Sequence, residues 1–428
     1  MKRITLFIIV TASIILLLVL VLTIFDNKSY FNKIDIDDEF KVLNLNKVDS
    51  SLLHSAINLG ADYLVRNIES NGQFTYRVNL DTTRVVKPKY NTLRHAGAIY
   101  ALCMYYEFSH SPKALEAAIS ASVFLKDSLM APLIKHPQLI GIWSHGTINH
   151  DNDPSVIKLG GNGLGLLALA YLEKIKPGTT DIYVLQKMGD FILFMQKSNG
   201  GFYSKYYSDD RGKDDSWTSL YYPGEAALGL LMLYELDNDR KWLFAAAKAL
   251  KYLTKLRANE SIVEADHWAL IATTILLKHY KDLELDIPAE LFIDHGIQIS
   301  KSILQAIPQF ASNSPYYGCM TTDGRTTPTS TRLEGLLSFV NVIPVQRESL
   351  ILSILTVTNS GIGFLEKAQI RSGPFAGGIT RALNIPVNDK LNFGVTPDFR
   401  RDTEIRIDYV QHALCAWLQY YEMVYGAQ

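Results

Sequence analysis

The sequence predicts an all-α protein: a closed ring of six helical hairpins, an (α/α)6 toroid, preceded by one membrane-spanning helix. Three observations carry this. Amphipathic and apolar helical segments alternate from residue 51 onward, alternating strand patterns are almost absent, and an uncharged run of 22 residues stands near the N-terminus.

The N-terminal run covers residues 4–25 and follows Lys2 and Arg3. At about 1.5 Å per residue it can cross a hydrocarbon core of roughly 30 Å. The positive flank predicts a cytoplasmic N-terminus, which makes this a single-pass membrane protein with its main domain extracytoplasmic. A cleaved signal peptide would have a shorter apolar region, about 7–15 residues, ending in small residues. Ile24-Phe25-Asp26-Asn27 offers no such site. Residues 26–50 read as a polar tether, and 51–428 as the toroid domain.

The chain has 428 residues, 48% of them apolar, and a formal net charge of −1. That supports one large core and gives no electrostatic reason to expect a nucleic-acid partner. The three cysteines, Cys103, Cys319 and Cys415, are too few for a disulfide framework in a domain of this size.

Each hairpin pairs an amphipathic helix with an apolar one. The amphipathic members are expected over 52–68, 113–129, 181–197, 239–256, 288–307 and 347–369. The apolar members are expected over 92–108, 160–175, 223–236, 266–280, 332–343 and 407–425. A helix apolar nearly all round belongs inside a core, whereas an amphipathic one covers it. Three glycine-aromatic turns mark equivalent places: Asn71-Gly72-Gln73-Phe74, Asn199-Gly200-Gly201-Phe202 and Ser372-Gly373-Pro374-Phe375. Six buried inner helices and six half-exposed outer ones close if the first outer helix packs on the last inner one.

On this architecture and these turns, 51–428 resembles the six-hairpin glycosidase superfamily and its (α/α)6 relatives. The stretch RRDTEIRIDYVQHAL, ending at Leu414, also resembles the C-terminal helical domain of glucuronyl C5-epimerases.

Setting the apolar helices one above another gives a polar residue ahead of each apolar run: His95, Asn162, Glu225, His267, Glu334 and His412. The last can slip by a turn to Asp408. In a ring of parallel inner helices these positions converge on one end of the central cavity. Carboxylates also suit helix starts for reasons of capping and dipole alone. Histidine gains nothing there, so three histidines at such starts point to a functional cavity.

The resemblance implies a carbohydrate-active enzyme, first a glycoside hydrolase acting on a poly- or oligosaccharide with paired carboxylates. Glu225 and Glu334 are the expected pair, with Asp266 and Asp408 in reserve. A uronate lyase or C5-epimerase is the alternative, with His267 and His412 as acid and base. Arg94, Arg332 and Arg406 would then hold the substrate carboxylate. His95, Asn162, Tyr222, Trp217 and Tyr409 complete the expected sugar contacts, since aromatic faces stack on C–H surfaces and polar side chains bind hydroxyls. A non-catalytic polysaccharide-binding protein of the envelope also fits, and envelope polysaccharide machinery is a candidate partner. No cofactor or metal is expected: Asp209-Asp210 and Asp214-Asp215 lack EF-hand spacing and read as a solvated acidic loop.

Overall fold

The computed structural model describes residues 36–150, 154–283, 287–398 and 401–426. The predicted membrane helix, 4–25, lies outside them. Twelve helices form the body of the described residues: α1 (Ser50–Arg66), α2 (Thr92–Ser109), α3 (Pro112–Phe124), α4 (Leu159–Ile175), α5 (Ile182–Met195), α6 (Tyr222–Asp237), α7 (Arg240–Arg257), α8 (His267–Lys278), α9 (Ala289–Gln305), α10 (Thr326–Phe339), α11 (Glu348–Ala368) and α12 (Ile407–Tyr425).

The even-numbered helices are the inner ring. Each packs on the next, and α12 returns to α2, so the ring closes. The odd-numbered helices lie outside, and α1 closes the outer layer against α12 and α2. Side-chain caps start the outer helices: Asp49 accepts from the backbone N–H of Ser51 and Leu52, Ser111 from Ala114, Asp181 from Tyr183 and Asp239 from Lys241. In the predicted equivalent turns, Gly72 has φ 86° and Gly200 φ 96°, a region that favours glycine. Bridges between Ile68 and Phe74, and between Gln196 and Phe202, close both turns in the same way.

The inner helices approach closely where glycine replaces a side chain. A Cβ on Gly163 of α4 would lie 2.7 Å from the backbone nitrogen of Ala226 and the carbonyl oxygen of Glu225 on α6. Backbone cannot yield as a side-chain tip can. Gly163→Ala is therefore expected to push α4 and α6 apart and cost about 1–3 kcal/mol. A urea midpoint equal to that of the wild type would show that the two helices have slack.

Seven short strands among the described residues correct the expectation of an almost strand-free chain. β1 (Arg77–Asn79) pairs antiparallel with β7 (Glu404–Arg406), placing Arg77 opposite Arg406. A second sheet has the order β2-β3-β4-β5-β6, from β2 (Met130–Leu133), β3 (His136–Ser144), β4 (Val156–Lys158), β5 (Lys205–Tyr207) and β6 (Lys213–Asp214). All strands but β3 have four residues or fewer, too short to show a period. The second half of β3 is buried almost continuously, which erases the alternation that a half-exposed strand would show.

Two further boundaries differ from expectation. Part of the predicted tether, Ile36–Val42, is a helix with Phe40 buried, and the Tyr425 hydroxyl donates to the Val48 carbonyl just beyond it. Helix α10 begins at Thr326 instead of near 332, which moves Glu334 from the helix start to its third turn. Among the described residues, Val345–Ala368 is long and apolar enough to cross a membrane; half of that window is buried, because it contains outer helix α11.

Candidate active site

One end of the ring holds a cavity of about 480 Å³. Its lining includes Arg94 near the start of α2, Tyr222 and Glu225 from α6, His267 from α8, and Asp408, Tyr409 and His412 from α12. Thr327 and Pro328 of α10 line it as well, so the first turns of five inner helices meet around one space.

His267 is the first residue of α8, placed there by Asp266, whose side chain caps the helix through the Ala269 N–H at 3.1 Å. Its ring is buried, yet neither nitrogen has a hydrogen-bond partner among the described residues. It packs against Tyr221 at 5.2 Å and Trp268 at 4.7 Å, and its centroid is 5.5 Å from that of His412, nearly perpendicular. Burial, then the neighbouring His412, hold its pKa well below the ordinary histidine value. At neutral pH it is an uncharged imidazole, with one nitrogen available as a base.

His412 is oriented from behind. Its Nδ1 lies 2.6 Å from Oε1 of Glu334, which is fully buried on α10. Burial raises the Glu334 pKa and His412 opposes that rise. A ring pinned through one nitrogen presents the other in a defined direction, as in histidine sites ordered by a carboxylate.

Among the described residues two carboxyl groups reach the cavity, Glu225 and Asp408, and they stand in opposite states. Glu225 is buried, its Oε2 has no partner among the described residues, and burial followed by Asp266 pushes its pKa up to about 8. Gly160 leaves the room that this oxygen occupies, since a Cβ there would collide with it. Asp408 is gripped by Arg406, from Nε to Oδ1 at 2.9 Å and from the terminal nitrogen to Oδ2 at 2.8 Å, and by Arg94 at 3.0 Å. Its burial opposes ionisation, but the two guanidiniums win and its pKa is lowered. Near pH 7 the cavity therefore holds a protonated donor, an ionised acceptor and a neutral histidine.

The state of Glu225 has a consequence for stability. The folded chain keeps its proton up to about pH 8, whereas the unfolded chain loses it near the ordinary 4.5. Between those values the unfolded state binds fewer protons, so this group's contribution falls as pH rises. Glu225→Gln is expected to gain on the wild type by on the order of 2–4 kcal/mol between pH 5 and pH 8. Urea midpoints at the two pH values check this, and a constant difference would contradict it.

No protein-family model and no curated protein matches the chain. Solved structures do. The cellobiose 2-epimerase of Spirochaeta thermophila aligns with a TM-score of 0.62 at 13% identity, covering 88% of this chain and 96% of its own. A D-mannose isomerase aligns with a TM-score of 0.58 at 12% identity over 86% and 97%. A GH76 α-mannanase of Bacteroides thetaiotaomicron aligns with a TM-score of 0.57 at 11% identity over 91% and 99%. The chain has the six-hairpin glycosidase-like fold.

Within this six-hairpin toroid, several of the expected site residues lie away from the cavity. His95 is fully buried, within hydrogen-bond distance of the Ala121 carbonyl at 2.8 Å and the Tyr90 hydroxyl at 2.7 Å, among Phe74 and Phe124. Asn162 accepts from the Ile142 N–H and donates to the Met188 carbonyl, tying β3 and α5 to α4. Asp266 caps α8 and pairs with buried Arg257 at 2.8 Å. Arg332 donates to the Met320 carbonyl, Trp217 is half-exposed beside Tyr222, and Glu334 stands behind His412; none of the three lines the cavity.

The reason is rotational. His95, Asn162 and Glu225 are each the fourth residue of their helices, yet only Glu225 faces the cavity. Position along a helix sets height, while rotation about its axis sets direction, and sequence position fixes only the first.

The cavity also draws on residues outside the aligned set. Arg325, Arg381 and Arg401 line it, together with Tyr221, Trp268 and Gln411. Arg381 lies between α11 and α12, outside any helix. In the sequence, Arg325 and Arg401 are signalled by the crowding of arginines around 400–406 and at Arg325 and Arg332, whereas Arg381 stands apart from that cluster.

Proposed function

We propose that this protein is a carbohydrate-active enzyme of the epimerase or isomerase type, with His267 and His412 as its acid–base pair. One observation carries the reading: two imidazoles 5.5 Å apart at one cavity, one oriented by Glu334 and the other with both nitrogens free of partners among the described residues. The cellobiose 2-epimerase and the D-mannose isomerase that share the fold lend it support.

The chemistry suits a carbon acid next to a carbonyl or carboxyl group. His267, neutral through burial, takes the proton from that carbon. The electron pair moves onto the adjacent oxygen, where protonated Glu225 or the arginine wall stabilises it. His412 returns a proton to the carbon from another side, giving inversion, or to a neighbouring oxygen or carbon, giving isomerisation. The test is incubation of mono- and oligosaccharides in deuterium oxide. Deuterium at one sugar carbon without chain cleavage is expected; new reducing ends without any exchange would overturn this reading.

A second reading is glycoside hydrolysis, favoured by the split between Glu225 and Asp408. One is held protonated and the other ionised, and both line the cavity, as a general acid and a base or nucleophile require. The pair would be Glu225 and Asp408 instead of Glu225 and Glu334, because Glu334 is engaged behind His412. The run 4–25 and its basic flank support a single-pass anchor with this domain outside the cytoplasm.

A further inference from the structure

A second cavity of about 390 Å³ adjoins the first and shares Asn91, Arg94, Arg401 and Arg406 with it. Its volume falls in the range of small-molecule sites, about 300–1,000 Å³. The rest of its wall includes Arg77, Lys89 and Lys158, and none of its described lining residues is acidic. The carboxylates that partner these arginines are buried: Glu404 receives Arg77 at 3.1 Å, and Asp408 receives Arg94 and Arg406. Held in this way, the guanidiniums are pre-oriented at the cavity wall, as anion recognition by arginine requires. Lys89 differs from them: it is exposed and has no ion pair among the described residues.

We propose that this second cavity is a subsite for an anionic group, a carboxylate or a sulfate, on the sugar next to the one held between His267 and His412. The substrate is then an acidic oligosaccharide, neither a neutral chain nor a single sugar. The proposal rests on the proton-transfer reading only for the place of the reacting sugar; the anion subsite stands on the basic wall itself. Like charges crowded in a partly enclosed space focus the field and draw an anion in, an effect that salt weakens.

The test uses the whole chain and three tetrasaccharides: one bearing only glucuronate carboxylates, one bearing only sulfates, and neutral cellotetraose. Calorimetric binding is measured at low and high salt, for the wild type and for Lys89→Glu, alongside deuterium exchange. At least one acidic probe is expected to bind more tightly than cellotetraose, to weaken with salt, and to lose about 3- to 10-fold in affinity in Lys89→Glu. Which acidic probe responds separates carboxylate from sulfate. Equal affinity for all three probes, or none for any, or indifference to Lys89→Glu, overturns the subsite. Exchange into neutral sugars unaffected by Lys89→Glu would overturn the subsite and leave the proton-transfer reading standing. Lys89-dependent acidic binding without exchange would support the subsite and remove that reading.

Discussion

His267→Gln is expected to lower the rate of proton exchange by about 10²–10⁴-fold, the span usual for loss of a positioned acid or base. The substitution is informative because neither ring nitrogen bonds to the protein among the described residues, so no buried group loses a partner when the imidazole goes. The fold should hold, with a urea midpoint close to that of the wild type, and the loss should fall on kcat more than on KM. The pH profile of the wild type adds a second check. Because burial and His412 depress the His267 pKa, the acid limb of kcat/KM should lie below the ordinary histidine value. His412→Gln should cost a similar factor, and the double variant little more than either single one, since the two act as a unit. Retention of full exchange by both single variants would end the two-histidine reading. Glu225 and Asp408 would then be the groups to substitute.

The largest expected effect on stability is at Asp266. Asp266→Ala removes the buried partner of Arg257, which is itself almost fully enclosed and also lies 3.3 Å from Nε2 of His295. A guanidinium left without its carboxylate in such a place costs about 3–5 kcal/mol. The same change deletes the cap on the Ala269 N–H, which adds about 1 kcal/mol. The double variant Asp266→Ala with Arg257→Met should recover a large part of the loss, because it removes the stranded charge as well. Urea unfolding of the three proteins measures this. If the double variant is no more stable than Asp266→Ala, the cost lies in the cap and not in the charge pair. Since Asp266 immediately precedes His267, the single variant should also lose exchange activity at temperatures where it remains folded.

The site residues divide according to what each kind of signal can show. Polar residues at the starts of apolar helices stand out in a linear chain, and Glu225, His267, Asp408 and His412 were legible for that reason. His95 and Asn162 carry the same signal and have another use, binding backbone groups of the layer outside. A buried polar side chain needs a partner wherever it points, so polarity alone does not separate a cavity residue from an internal tie. Glu334 combines both cases: it is coupled to the cavity, but only through His412.

Alternating amphipathic and apolar segments of helical period, with glycine turns between them, were enough to specify a ring of six hairpins. The reason is that apolar helices must be covered and each outer face is wide enough to cover only its neighbours. Helix rotation, the start of α10 at Thr326, the small strands and the arrival of Arg381 and Arg401 at the mouth were decided by tertiary packing. These depend on contacts between segments distant in the chain, such as β1 with β7, and no local period encodes them.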